Sequence, residues 1–300
     1  MNDYERGMLG AIANRQWDTV TSYARIILDS ITSERDQQMK KELLRKIKEN
    51  EMKPFELPMN VRDLLAAQDV SDFREDRFLL RKAEAAIVDK MCSALGASAK
   101  LKELDVRYVP SLLLTGVPGT GKTLLAKYIA FKVGLPFVYV RFSNLVGSYL
   151  GQTQSNVAKV FDFVRSQSAV VCFDEIDAIG LARGQRNDVG EMSRVVIALM
   201  QELDRTENGS IIIGTTNRAD MLDAALLRRF NFRHEVALLT VTDARDLEYK
   251  FFASVGKRCD RWVSCIKPGE NPNIPRFSAA DVVAKCTEEL VSMMEKESNE

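Results

Sequence analysis

The chain has a single histidine, His234, in 300 residues. That excludes a multi-histidine metal centre and argues against a Ser–His–Asp triad. Its five cysteines (Cys92, Cys172, Cys259, Cys265 and Cys286) are scattered, and no C-x-x-C occurs. They are expected as reduced thiols of a cytosolic protein, not as a zinc framework. Excess charge is absent too: 42 Lys and Arg face 42 Asp and Glu. The first sixty residues are balanced in the same way. The excess charge that would drive nonspecific binding to nucleic acid is therefore missing, and nucleic acid is not the expected partner. No apolar run approaches the ~18 residues of a membrane span. The start, Met1-Asn2-Asp3-Tyr4-Glu5, has no basic segment leading into an apolar one. No signal peptide is expected, and the expected location is cytoplasmic.

What the chain does have is concentrated at Gly116-Val117-Pro118-Gly119-Thr120-Gly121-Lys122-Thr123. This is G-x-x-x-x-G-K-T. It follows the apolar run Ser111–Leu114 and precedes a second one that begins at Leu124. Strand, glycine-rich loop and helix are the setting in which backbone N–H groups turn inward around phosphate oxygens. The helix N-terminus adds partial positive charge. Lys122 is expected to reach β- and γ-phosphates, and Thr123 to set its hydroxyl on Mg²⁺.

Around this loop the pattern alternates. Ser111–Leu114, Ala169–Phe173 and Ile211–Ile213 are short and almost wholly apolar, as strands buried on both faces are. Segments 136–140 and 235–239 are expected to add two more strands. Val157, Val160, Phe161 and Val164 mark one amphipathic helix between them. Met192, Val195, Val196, Leu199 and Leu203 mark another. The expected fold is α/β, an αβα sandwich of P-loop NTPase type around a parallel sheet. A small all-helical lid follows, with a helix over 242–254, a polar loop over 257–276 and a last helix capped at Ser278-Ala279-Ala280-Asp281. The expected domains are a helical N-terminal region over 1–52 and a linker over 53–82. The nucleotide-binding subdomain then spans 83–239 and the lid 240–300. Helical character is expected from Val61 to Leu95, broken around Asp69–Asp72.

Further along, Val170-Val171-Cys172-Phe173-Asp174-Glu175 is an apolar strand ending in two carboxylates. Ligands bind at that end of α/β strands. Asp174 is expected in the Mg²⁺ shell. Glu175 is expected to orient the attacking water or take its proton. The strand Ile211–Ile213 leads through Gly214-Thr215-Thr216 to Asn217, which is either a γ-phosphate contact or an ordinary turn residue. Arg228, Arg229 and Arg233 lie within six residues, as catalytic arginines or as a solvated basic patch.

Taken in order, GVPGTGKT, VVCFDEID, IIIGTTN and DAALLRRF, followed by a lid whose last helix begins at FSAAD, resemble an AAA+ ATPase of the classical AAA branch. The resemblance covers about Ala83 to Glu295. It implies that Lys122 and Thr123 belong to Walker A, and Asp174 and Glu175 to Walker B. It makes Asn217 sensor 1 and Arg229 an arginine finger acting on a neighbour's site. Arg233 is a candidate second finger, unless Phe232 holds that register. Ala279 and Ala280 are implied to approach the nucleotide. A homo-oligomeric ring, usually a hexamer, is implied as well. Ser148-Tyr149-Leu150-Gly151 matches the family's pore loop, so Tyr149 and Leu150 are implied to grip a polypeptide substrate, with 183–190 as a second pore loop. Gln152-Thr153-Gln154 departs from the family's acidic cluster. The implied function is an ATP-driven protein remodeller whose residues 1–52 contact a substrate or partner. Two alternatives stay open: a nucleotide-dependent switch acting on a partner through those helices without threading, and a DNA-acting loader.

Overall fold

The structure is a computed structural model. It describes residues 57–145, 152–177, 189–206, 209–257 and 277–298, with residues 5, 6, 8–10, 20, 24, 27, 28 and 36–43, which are all helical. Six strands form one sheet in the order β1-β3-β4-β5-β2-β6. They are β1 (Leu65–Gln68), β2 (Ser111–Thr115), β3 (Phe137–Val140), β4 (Val170–Phe173), β5 (Ile211–Thr216) and β6 (Phe232–Glu235). All neighbours run parallel except β1, which pairs antiparallel with β3 at the edge.

Side chains alternate across the pleat, and the two faces bury different sets. Leu113, Val138, Val171, Phe173 and Ile212 join one core. That core packs against α4 (Gln152–Ser166) and α5 (Val189–Arg205), which follow α3 (Phe142–Leu145). Leu112, Leu114, Val170, Cys172 and Ile213 join the other. It is covered by α1 (Lys82–Glu103) and α2 (Lys122–Val133). This is the three-layer α/β fold expected from the apolar runs. Of the expected helical stripe on α5, Val196 and Leu199 are buried, while the side chains of Met192 and Val195 lie outside the described residues.

Two expectations are corrected. The segment expected as a linker, and as helical from Val61, carries β1 and part of the core. Leu57, Val61, Leu64 and Leu65 are all buried with α4 and β3. Their spacing imitates a helix, but the backbone of 65–68 pairs with Phe137–Val140 instead. Strand β6 also ends at Glu235 where it was expected to begin, because Phe232–Glu235 register with Leu112–Thr115.

A short helix α6 (Ala224–Leu227) precedes β6. Two longer helices, α7 (Val241–Ser254) and α8 (Ala279–Ser298), form the helical end of the chain. Thr240 caps α7 in a reciprocal capping box with Asp243. Leu239 and Phe277 exchange backbone hydrogen bonds of 2.7 and 3.2 Å, which ties the two helix starts together. Leu247, Phe252, Val282 and Cys286 are the buried contacts between them. Most of the expected loop over 257–276 lies outside the described residues.

Candidate active site

The glycine-rich loop leaves the end of β2 and turns into α2. Gly116 has φ 142°, and a Cβ there would lie 2.4 Å from the carbonyl oxygen of Val236. Gly119 has φ 78°, and its Cβ would meet Ser278 Oγ at 2.9 Å. Both positions therefore require glycine, for conformation and for space. Thr120 Oγ1 donates to the carbonyl of Val117 at 3.0 Å and pins the loop. Gly121 caps α2 without any side-chain acceptor. The first amides of α2 therefore remain available to an anion. Val117, Pro118 and Leu124 form the exposed outer rim.

Lys122 is buried, and its ammonium donates to the carbonyls of Gly116 and Val117, each at 2.9 Å, and to Asn217 Oδ1 at 2.7 Å. Burial pushes its pKa below the usual lysine value, against the pull of Asp174, Asp177 and Glu175. Asn217, at the end of β5, is thus brought onto the loop lysine across 95 residues of sequence.

Asp174 ends β4 and gathers hydroxyl donors from three elements. Thr123 Oγ1 donates to Oδ1 at 3.0 Å, and Thr215 Oγ1 donates to the same oxygen. Tyr139 donates to Oδ2 at 3.1 Å. Burial, then the Asp174 charge, push the Tyr139 phenol up to about 12. The next residue, Glu175, has φ 53°, a left-handed backbone that costs of order 1 kcal/mol in a non-glycine residue. Its N–H donates to Thr215 Oγ1 at 3.1 Å, and its side chain is exposed. The donor set around Asp174 is oxygen only, a hydroxyl and a carboxylate beside the glycine-rich loop. That chemistry fits a hard cation such as Mg²⁺, which keeps most of its ligands as water and phosphate.

The helical lid reaches the same loop. Ala280 N–H donates to the carbonyl of Gly119 at 3.0 Å, and Ser278 Oγ accepts from Asp281 N–H at 3.0 Å to cap α8. Ala279, Val283, Leu124, Val236 and Leu239 enclose an apolar recess of about 70 Å³ next to Thr120 and Gly121.

The arginines lie elsewhere. Ser111 opens β2, and its Oγ donates to the carbonyl of Arg229 at 2.9 Å. The glycine-rich loop leaves the other end of that five-residue strand. At ~3.3 Å per residue, roughly 13 Å of strand separates the Arg229 backbone from its own loop. The Arg229 guanidinium bonds Asp204 at 3.0 Å and the Ala225 carbonyl at 2.9 Å, and its buried Nε has no partner among the described residues. Arg233 is exposed and donates to the Leu227 carbonyl at 2.7 Å, while Phe232 packs into the core. Tyr149, Leu150 and residues 183–188 lie outside the described residues, while Val189 and Gly190 open α5.

Sequence reasoning missed the second layer of this site. Tyr139 and Thr215 sit inside apolar strands. So did the charged knot beside the recess: Arg81 donates to Glu84, to the Ala237 and Leu238 carbonyls at 3.1 Å each, and lies 3.9 Å from Asp243. His234 Nε2 stands 3.8 Å from Glu84. Burial alone would raise the Glu84 pKa, but His234 and Arg81 hold it at about 2.

Residues 112–238 match the model of the ATPase family associated with various cellular activities (AAA). The chain is similar to the peroxisomal ATPase pex6 of Schizosaccharomyces pombe, with 35% identity over 197 residues, covering 63% of this chain and 21% of that protein. The peroxisomal ATPase PEX6 of Komagataella pastoris is 35% identical over 224 residues, covering 71% of this chain and 19% of the relative. An uncharacterised AAA family ATPase of Sinorhizobium fredii is 37% identical over 132 residues, covering 44% of this chain and 40% of that protein. The chain thus spans about a fifth of the length of the peroxisomal relatives. Among the described residues no helix is long and apolar enough to cross a membrane. With its glycine-rich loop, paired strand-end carboxylates and matching domain, the chain belongs to the AAA+ ATPases, in the classical AAA branch.

Proposed function

We propose that this ATPase works as a cytoplasmic homo-oligomeric ring, hexameric as its family resemblance implies, that remodels or unfolds a protein substrate threaded past Tyr149 and Leu150. ATP is held by the loop 116–123 and the first amides of α2. Its base enters the apolar recess beside Leu124, closed from above by Ala279 and Ala280. Lys122 exchanges its loop carbonyls for phosphate oxygens, a step made easier because its ammonium is already desolvated. Thr123 and Asp174 would hold Mg²⁺, which would supply positive charge against the phosphates. Glu175, turned out of the strand line by its left-handed backbone, orients the attacking water and accepts its proton. Asn217 fixes Lys122 and then the γ-phosphate. Arg229, with Arg233 as a second candidate, stabilises the transferring phosphoryl of a neighbouring subunit, and residues 1–52 engage the substrate or partner.

The observation that carries this reading is the 2.7 Å contact between Lys122 and Asn217. It joins loop and sensor strand into one site at the C-terminal edge of the sheet, next to the Thr123–Asp174 pair. The position of Arg229 at the opposite edge supports action in trans, because it cannot reach its own loop.

The test is ATP turnover per subunit against protein concentration, for wild type and Arg229→Ala. Specific activity should climb with concentration and fall about 10³-fold without Arg229. Flat activity that ignores Arg229→Ala would refute trans completion of the site. In the same assay Tyr149→Ala should spare basal hydrolysis and abolish substrate remodelling; intact remodelling would remove the threading step.

A further inference from the structure

We infer that Tyr139 is a positioning residue for the cation site: its phenol selects which lone pair of Asp174 faces the bound metal. This rests on the reading of Thr123 and Asp174 as the pair that holds Mg²⁺.

The argument is a count of donors and acceptors. An ionised carboxylate only accepts, and it has about four lone-pair positions. Thr123 and Thr215 both donate to Oδ1, which fills that oxygen. The direction at Thr215 is fixed, because its Oγ1 already accepts the N–H of Glu175 and has its own hydrogen left to give. Tyr139 donates to Oδ2 at 3.1 Å. One position of Asp174 is then open among the described residues, and it lies on Oδ2, beside the phenol. A cation or its water has a single place to bind. Magnesium tolerates little departure from octahedral geometry, so a carboxylate locked in one orientation suits it.

The sheet explains how Tyr139 arrives there. It lies opposite Cys172 in the β3–β4 register and packs against the same core as Cys172. Asp174 is two residues beyond Cys172, on the same face of the strand. Thr123, at the start of α2, approaches from that face as well. The Asp174 carboxylate is therefore gripped by hydroxyls from β3, β5 and α2. Partners of this kind orient the groups that touch a metal, and their loss typically costs 10–100-fold in metal affinity.

The experiment uses the full chain and a fluorescent, non-hydrolysable ATP analogue, titrated with Mg²⁺ and also measured in excess chelator. Tyr139→Phe keeps the ring and its packing and removes only the hydroxyl. It should raise the half-saturating Mg²⁺ concentration about 10-fold and leave metal-free affinity unchanged. Asp174→Asn should raise it further, and Tyr139→Phe added to Asp174→Asn should change nothing more. A half-saturation within twofold of wild type for Tyr139→Phe, while Asp174→Asn shifts it, would overturn the role of Tyr139 alone. A parallel loss of metal-free affinity would also overturn it, since that is what a packing defect does. If Asp174→Asn leaves the Mg²⁺ dependence untouched, the cation-site reading falls and takes this inference with it.

Discussion

Glu84→Gln probes the charged knot where the sheet meets the lid. Glu84 is only 4% exposed, and its carboxylate faces Arg81 and His234. An ordinary glutamate titrates near 4.5 and this one at about 2. At about 1.4 kcal/mol per tenfold, that separation contributes about 3 kcal/mol to folding. The sign follows from the direction. A depressed folded-state pKa stabilises fully above 4.5, and the contribution disappears as pH falls toward 2. By linkage about 3 kcal/mol should be present at pH 7 and about 1 kcal/mol at pH 3. Urea unfolding of wild type and Glu84→Gln, followed by fluorescence at pH 7, 5, 4 and 3, isolates this term, since the other carboxylates are common to both proteins. The stability gap between them should narrow by about 2 kcal/mol from pH 7 to pH 3. A constant gap would mean that Glu84 is not ionised against Arg81 and His234, and the account of the knot would be wrong.

Three further outcomes are expected. Glu175→Gln should bind the ATP analogue with wild-type affinity and lose at least about 100-fold in turnover, because on the proposed mechanism the loop 116–123 is untouched while the attacking water loses its base. Gly116→Ala should abolish analogue binding, measured by fluorescence titration, since its Cβ would meet the Val236 carbonyl at 2.4 Å. Ser111→Ala should cost about 1–3 kcal/mol in urea unfolding, because the buried Ser111 hydroxyl accepts from Asn231 N–H at 3.0 Å and donates to the Arg229 carbonyl at 2.9 Å. It should also lower turnover by shifting Arg229.

Legibility in the sequence followed the range of the interactions. The strands Leu112–Leu114, Val170–Phe173 and Ile211–Ile213 were visible because burial on both faces leaves a continuous apolar run. The loop 116–123 was visible because its glycines serve a local backbone need. Strand β1 was hidden: Leu-Ala-Ala-Gln carries no strand signal, and only its pairing with β3 makes it one. Val61, Leu64 and Leu65 misled because a helical spacing also suits a turn leading into an edge strand. Tyr139 meets Asp174 across 35 residues and Arg81 meets Leu238 across 157, so no window along the chain contains either pair. The polar atoms of the second layer were spelled as ordinary strand residues, and the sheet alone made them neighbours.

The hydrogen bond from Ala280 to Gly119 turns the lid into an indicator needle. Helix α8 has 20 residues and is about 30 Å long. Its first turn rests on the loop proposed to take phosphate, and residues 294–296 near its far end are exposed. A tilt of about 5° at the loop swings that far end by roughly 2.6 Å over this length. On the proposed reading of the loop as the phosphate site, a change no larger than the gain or loss of a phosphate contact would be magnified into a displacement of that size at the far end of α8.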